Sequence, residues 1–211
     1  MTDMKIYTLN QYLQDTFGQK LYKIALDGGF TCPNRDGTID TRGCIFCSGA
    51  GSGEFAGDRR MRITQQIEKG KERVAGKIKD GRYIAYFQAF TNTYAPVEKL
   101  RSLYMEAISH QDIAVLSVAT RPDCLPDEVL DLLCECNQIK PVWVELGLQT
   151  IHPATAEYIR RGYPLSVYDD AVTRLKACGM EVIVHVMLGL PGETRQDMLD
   201  TAAYVGKSHV D

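Results

Sequence analysis

The sequence of 211 residues has no apolar run near the roughly 20 residues that a membrane helix needs. Its opening also lacks the basic start and apolar core of a signal peptide. The formal net charge is only −3, which argues against a polycation that coats nucleic acid. No fixed-period repeat, low-complexity tract or linker interrupts the chain. These absences predict a cytoplasmic globular protein with no membrane partner.

The composition supports a substantial core, because 45% of the residues are hydrophobic. A chain of this length buries roughly 70% of its unfolded surface and needs no metal simply to fold. The seven cysteines are therefore of interest. In a reducing compartment, closely spaced cysteines indicate a metal or catalytic site more often than disulfides. We expect the more scattered ones to be small buried or half-buried hydrophobic side chains, namely Cys124, Cys134, Cys136 and Cys178.

Short apolar runs alternate along the chain with longer stretches of helical periodicity. This alternation predicts an α/β fold with a parallel sheet, in which function gathers at the carboxyl ends of the strands. The predicted strands cover residues 21–26, 83–90, 113–119, 142–148 and 182–188. The predicted helices cover residues 9–17, 64–79, 97–110, 126–136, 166–178 and 194–207.

A long glycine-containing loop over residues 27–58 follows the first predicted strand and carries Cys32, Cys44 and Cys47. Thiolates two residues apart can bind one metal centre, and the third can reach it around the loop. A structural zinc site normally has four ligands, and this loop offers three. A zinc site completed from elsewhere stays open as an alternative. The count favours an iron cluster with one open coordination position.

These residues resemble the radical S-adenosylmethionine (SAM) superfamily, whose cluster loop has three cysteines and an aromatic residue before the third, here Phe46. The run GGFTCPNRDG around Cys32 resembles a bacterial branch related to the radical domain of the Elongator catalytic subunit. The resemblance extends from about residue 21 to the end of the chain. It implies that Cys32, Cys44 and Cys47 hold a 4Fe–4S cluster.

The resemblance also implies an enzyme that cleaves SAM to a 5′-deoxyadenosyl radical, which takes a hydrogen atom from a substrate. An external one-electron donor such as flavodoxin or ferredoxin would reduce the cluster. The implied fold is a partial (β/α)6-type barrel, and only five units are recognisable. We therefore expect an N-terminal extension over residues 1–20 and a radical SAM core over residues 21–211 that lacks its sixth unit.

Several cofactor contacts follow from the same resemblance. Gln149 ends the fourth-strand motif, and Arg161 matches the arginine that holds the SAM carboxylate, although the residues alone also allow a surface arginine there. The loop after the fifth strand resembles the adenine-side loop through Gly189, Leu190 and Pro191.

Two strand ends depart from the family pattern. Ala119 stands where relatives commonly have a ribose-binding glutamate, so Thr120 or Glu145 is the candidate for that contact. The second strand lacks paired glycines beside the methionine amino group, which leaves backbone carbonyls with Gln88 or Thr91 as candidates.

The sequence assigns neither a catalytic residue nor a substrate. His185 is either a cofactor contact or a core histidine. The basic stretch over residues 59–82 is compatible with tRNA, but such a stretch is usually a solvated helix face, and a peptide or small metabolite stays open. The alternative function is a zinc-binding or cluster-binding structural or regulatory module without turnover.

Overall fold

The computed structural model describes residues 6–77 and 81–211. After helix α1, strands and helices alternate along the chain. The strands are β1 (Tyr22–Leu26), β2 (Tyr83–Phe87), β3 (Ile113–Thr120), β4 (Val142–Gln149) and β5 (Glu181–Val186). The α-helices are α1 (Leu9–Phe17), α2 (Ile63–Val74), α3 (Val97–Ser109), α4 (Asp127–Ile139), α5 (Pro153–Tyr158), α6 (Leu165–Ala177) and α7 (Arg195–Lys207).

The five strands form one parallel sheet, as the alternating pattern predicts, and their order is β1-β2-β3-β4-β5. The sheet is not closed, because β1 and β5 are its two edges. This is the predicted partial barrel. Side chains alternate between its two faces. Aligned residues Leu26, Phe87, Val118, Val144 and Val182 are fully buried in the main core, which the surrounding helices cover.

A second, smaller apolar cluster closes the amino-terminal end of the barrel interior. Leu13 of α1 packs there with Ile84, Val115 and Trp143, all nearly inaccessible. The ring of Tyr12 meets Trp143 edge-on, with 5.9 Å between the ring centroids. Helix α1, in the predicted N-terminal extension, therefore packs against the barrel core.

The predicted elements agree with the structure to within a few residues. The largest strand difference is at β2, predicted to reach residue 90 and ending at Phe87. Phe90 has a left-handed backbone (φ 63°), and its N–H donates to Gly51 O instead of extending the ladder. Helix α2 ends at Val74 rather than 79, and residues 78–79 of that prediction lie outside the described part of the chain. The short helix α5 was not predicted.

The expectation for the scattered cysteines is wrong for one pair. Cys134 on α4 and Cys178 at the end of α6 form a disulfide, with Cα atoms 5.8 Å apart. They are 44 positions apart in the sequence, and only the packing of the helices beside β4 brings them together. Cys124 and Cys136 are free and buried, as expected. In the described residues, no helix is both long and apolar enough to span a bilayer.

Candidate functional site

The carboxyl ends of the strands surround a cavity of about 470 Å³. Of the fourteen predicted site residues, eleven line this cavity. The three that do not are in the loop after β5. There, the Gly189 N–H faces the Met198 sulfur at 3.1 Å, and Leu190 is buried. The eleven lining residues are Cys32, Cys44, Phe46, Cys47, Gln88, Thr91, Thr120, Glu145, Gln149, Arg161 and His185.

The three loop cysteines are free and half-buried at this cavity. Their three sulfur atoms do not all lie within 4.8 Å of one another. Among the described residues, one other group of three possible metal ligands does lie that close together. Thiolates around a single zinc ion would be only about 3.8 Å apart, given a Zn–S distance near 2.3 Å and tetrahedral geometry. A cluster whose cysteines bind different irons needs the wider spacing. Three thiol donors at one cavity, with no fourth cysteine among the described lining residues, fit an iron–sulfur cluster that leaves one iron open.

Arg35 holds the cysteine loop in its turn. Its guanidinium donates to Cys47 O at 2.9 Å and to Ser48 O at 2.5 Å. Gly43 makes room for it, since a Cβ there would approach the guanidinium to 3.0 Å, and φ is +75°. Arg35 therefore holds the backbone that carries Cys47.

Arg161 is only 4% exposed and provides a buried positive charge beside the thiols. Its guanidinium donates to backbone carbonyls only, at Leu148 (3.0 Å), Thr150 (2.5 Å) and Tyr163 (3.1 Å). Among the described residues no carboxylate forms an ion pair with it, and burial lowers its pKa. A buried guanidinium without an anion is suited to pair with the carboxylate of a bound ligand.

A second arginine stacks on the same aromatic ring. The guanidinium carbons of Arg161 and Arg121 are 4.7 and 5.1 Å from the centroid of the Tyr163 ring. Arg121 differs because it is neutralised by Asp123 at 2.7 Å. Arg161 is therefore the member of the stack whose charge is left for a ligand.

Gln149 reaches the cavity through an unusual backbone. It has a left-handed conformation (φ 69°), and the β4–β5 register shifts between Gly147 and Gln149. A Cβ on Gly147 would lie 2.8 Å from the Gln149 amide nitrogen. The Gln149 amide therefore packs against the open side of Gly147, and a side chain at 147 would displace it.

The proton positions around Thr120 follow from its partners. Thr93 Oγ1 lies 2.5 Å from both Cys124 O and Thr120 Oγ1. A carbonyl only accepts, so the Thr93 proton goes to Cys124 and Thr120 must donate to Thr93. Thr120 therefore presents a free acceptor oxygen at the cavity, as a ribose hydroxyl requires.

Glu145 is 1% exposed and already has partners for both of its oxygens. Lys23 forms an ion pair with Oε1, which also accepts from Ser117, and His185 Nε2 is 2.8 Å from Oε2. Burial alone would raise its pKa, but the hydrogen bond from His185 and the Lys23 charge lower it to about 2. Glu145 thus anchors an ionic layer across the barrel interior and has little capacity left for ribose.

Tyr86 completes this layer from β2. Its ring lies 4.3 Å from the Lys23 ammonium, and burial and Glu145 together raise its pKa. One residue from each of the five strands belongs to this layer, which we call the cavity floor and which consists of Lys23, Tyr86, Ser117, Glu145 and His185. Tyr86, Glu145 and His185 line the cavity, whereas Lys23 and Ser117 contact Glu145 without lining it.

Sequence reasoning missed three of these floor residues and also Tyr163. The signal for Tyr86 was available, because it lies two positions before Gln88 on the same strand face. Lys23 was detectable as a charge inside an apolar strand. Nothing in the sequence marked Tyr163, whose role depends on two arginines 42 and 2 positions away in the chain.

The structure is thus an open parallel α/β barrel whose carboxyl end carries three free thiols and a buried arginine, with no ion-pair partner for that arginine among the described residues. The family model "Radical SAM superfamily" matches residues 40–205, and the chain belongs to this superfamily. Members use a 4Fe–4S cluster and SAM.

The chain is 50% identical over 204 residues to "Uncharacterized protein YtqA" of Bacillus subtilis, covering 97% of this chain and 63% of that protein. It therefore spans less than two thirds of that relative's length. A "tRNA uridine(34) acetyltransferase" of Methanocaldococcus jannaschii is 32% identical over 87 residues, covering 41% of this chain and 15% of that protein. An N-terminally truncated Elp3 of Methanocaldococcus infernus shares the fold, with a TM-score of 0.61, 16% identity and coverage of 88% of this chain and 42% of that one.

Proposed function

We propose that this chain is the core of a radical SAM enzyme in which Cys32, Cys44 and Cys47 hold the 4Fe–4S cluster. When bound, the cluster and SAM supply a 5′-deoxyadenosyl radical that removes a hydrogen atom from the substrate. The observation that carries this proposal is the cavity itself, which combines three free thiols with the buried charge of Arg161, for which the described residues provide no carboxylate partner. The barrel orients the reactants and limits their exposure to water.

We assign the remaining predicted cofactor contacts according to which hydrogen-bonding atoms each residue has free. Arg161 takes the SAM carboxylate, Gln149 contacts the cofactor from β4, and Thr120 accepts from a ribose hydroxyl. Gln88 donates its amide to Ser52 O at 2.8 Å, which leaves its carbonyl oxygen for the methionine amino group. Thr91 is 2% exposed and contributes mainly through its backbone.

Phe46 and the loop after β5 complete the proposed cofactor contacts. Phe46, 37% exposed, lies at the cavity beside Cys47 and shields the cluster. Gly189, Leu190 and Pro191 approach adenine only if the loop moves toward the cavity.

We assign Glu145 and His185 to the substrate side instead of to the cofactor. Their layer lies deeper in the barrel than Thr120 and Gln149, by the alternation of positions along β3 and β4. His185 lines the cavity and is held by Glu145 at 2.8 Å. An imidazole oriented by a buried carboxylate is suited to hydrogen-bond a substrate or exchange a proton with it.

The test of the proposed reaction is anaerobic reconstitution with iron and sulfide, followed by dithionite and SAM. We expect 5′-deoxyadenosine from the wild-type protein and none from Cys44→Ala. The matched control is Cys136→Ala, which removes a buried thiol away from the cavity and keeps the product. Equal amounts of 5′-deoxyadenosine from the wild-type protein and from Cys44→Ala would refute the proposal. Stoichiometric zinc without iron after anaerobic purification would favour the structural module instead.

The substrate we propose is tRNA. The partial similarity to a tRNA uridine(34) acetyltransferase supports it, and so does a basic recess beside α2. This recess carries Lys69 and Arg73, and Phe55 next to them is 82% exposed. Cations with an exposed aromatic ring suit phosphates and a stacked base.

Binding of unfractionated tRNA at several salt concentrations tests this assignment. We expect the Lys69→Ala/Arg73→Ala variant to bind more weakly and to reduce the slope of log affinity against log salt by about 2. Lys176→Ala/Lys207→Ala removes the same charge elsewhere and serves as the control. An unchanged slope in the recess variant would point to a peptide or small metabolite.

We also propose that a sixth strand of the barrel pairs along the edge of β5. The Asp211 N–H donates to Val182 O at 3.0 Å, and the Asp211 side chain accepts from Val182 N at 2.9 Å. Val186 and Leu188 near the other end are 37% and 68% exposed. Intact-mass measurement of the native protein tests this, since a mass of 23.6 kDa would leave no residues for such a strand.

A further inference from the structure

Asn34, which the cofactor assignments do not use, connects the cysteine loop to the turn that carries Arg161. It is 1% exposed, and its side-chain Nδ2 lies 3.2 Å from Cys44 Sγ and 2.7 Å from Arg160 O. Arg161 O is 3.4 Å away. One amide group therefore contacts a proposed cluster ligand and the backbone next to the proposed carboxylate ligand.

The orientation of this amide is determined by its surroundings. An NH₂ group has two protons, and both are used here, one toward sulfur and one toward the Arg160 carbonyl. The reverse orientation would place the amide oxygen against two carbonyl oxygens, which repel it. As oriented, Oδ1 has no hydrogen-bond partner among the described residues. A buried oxygen without a partner costs free energy, and this indicates that the hydrogen bonds donated by Nδ2 determine the orientation of the amide.

The Asn34 amide gains a second role when Cys44 binds a metal, because the Arg160 carbonyl lies next to the Cys44 sulfur. In the structure the Cys44 thiol lies 3.4 Å from Arg160 O and can donate to it. A cysteine bound to iron is a thiolate and has no proton to donate. Two electron-rich atoms would then face each other, and the Asn34 NH₂ is the group that hydrogen-bonds to both.

The turn after Arg161 is shaped to receive this side chain. Gly162 has φ +84°, and a Cβ there would lie 2.9 Å from Asn34 Oδ1. Any larger residue at 162 would displace the amide or the turn. The glycine at position 162 therefore allows the close contact between Asn34 and this turn.

We propose that Asn34 is a positioning residue with two roles. Its hydrogen bond to the Cys44 sulfur raises the reduction potential of the cluster, and its hydrogen bond to Arg160 O holds the turn of Arg161 next to Cys44. The inference rests on the proposed function, because it requires Cys44 to be a cluster ligand. A hydrogen bond donated to a cluster sulfur stabilises the reduced, more negative form and so raises the potential.

The first test is a potentiometric titration of the reconstituted protein, in which electron paramagnetic resonance measures the fraction of reduced cluster at each potential. Asn34→Leu keeps the size and removes the donor, while Asn34→Asp also adds a negative charge. We expect a more negative potential in both, with the larger shift in Asn34→Asp. Asn137→Leu is the control, because Asn137 is another tethering asparagine, donating to Gly179 O at 3.3 Å, and it does not line the cavity of the three loop cysteines. Potentials equal to wild type in both Asn34 variants would overturn the proposal.

A second measurement does not use the Asn34 variants and decides the matter if they fail to hold a cluster. Protein labelled with ¹⁵N only in asparagine side chains, then reduced, should show a weak nitrogen hyperfine coupling to the cluster. We expect this coupling to survive in Asn137→Leu. Its absence from a well-formed wild-type cluster would overturn the role of Asn34. Failure of the wild-type protein to bind iron would instead overturn the proposed function.

Discussion

Replacing Glu145 by glutamine tests whether the cavity floor is held by ionic contacts. The substitution keeps the shape of the side chain and removes the charge that pairs with Lys23 and accepts from His185 and Ser117. Lys23 would then lack its anion in a site where its own side chain is only 31% exposed. We expect a stability loss that depends on pH, which distinguishes a lost charge from a packing defect.

The magnitude follows from the carboxyl pKa. Lowering it from 4.5 to about 2 favours the ionised folded state by roughly 3 kcal/mol, at about 1.4 kcal/mol for each pH unit. Lys23 and His185 are partly exposed, so solvent screens some of this. We therefore expect Glu145→Gln to lose about 2–3 kcal/mol near pH 7, or roughly 5–10 °C in Tm for a domain of this size.

The pH dependence has a definite sign. Because the folded-state pKa is depressed, the stabilisation is fully present above about pH 4.5 and is lost as the pH falls toward 2. Urea unfolding followed by circular dichroism, at pH values from 7 down to 2.5, measures the gap between wild type and Glu145→Gln. The gap should narrow as the pH falls. A gap below about 0.5 kcal/mol at pH 7, or one that does not change with pH, would refute the ionic account.

Lys23→Met provides the matched control. In a double-mutant cycle, the losses from Lys23→Met and Glu145→Gln should be markedly less than additive, because either change alone breaks the same pair. Additive losses would place the stability effect outside the ion pair.

Three further predictions concern the site and its frame. Arg161→Lys should weaken SAM binding to the reconstituted protein about tenfold or more by calorimetry, since lysine loses the planar two-point contact with a carboxylate; unchanged affinity would place the carboxylate elsewhere. Gly162→Ala should cost about 1–3 kcal/mol in urea unfolding, because φ is +84° and the new Cβ meets Asn34; a neutral effect would mean that the turn adjusts freely. Alkylation without reduction, followed by mass spectrometry, should leave Cys134 and Cys178 unlabelled in protein purified without reductant, and reduction should cost about 2–4 kcal/mol; full labelling would contradict the disulfide.

The parallel sheet could be predicted because local pattern determines it, whereas the partial barrel was implied by the family resemblance. Apolar runs such as 142–148, separated by stretches of helical period, leave few topologies in a chain of this size. The cysteine loop was predictable for another reason, since Cys44 and Cys47 are close in sequence and need no distant partner to indicate a metal site.

The parts that escaped prediction depend on contacts between distant positions. The Cys134–Cys178 bond needs two helices to pack beside the same strand. Glu145, one of the two ribose candidates, forms an ion pair with Lys23, which is 122 residues away in the sequence and is not part of the motif. A motif identifies a residue type at a strand end, but it does not show which other side chains have already formed hydrogen bonds with that residue.

The inner positions of β4 explain how the barrel separates these tasks by depth. Trp143, Glu145, Gly147 and Gln149 follow one another at two-residue steps on the same face. The first belongs to the apolar cluster with α1, the second to the ionic floor, and the last two to the cofactor end of the cavity. A slip of one residue in the β3–β4 register would turn all four outward. The pairing of Val118 with Val144, both fully buried on the opposite face, fixes that register and so sets the depth at which each group acts.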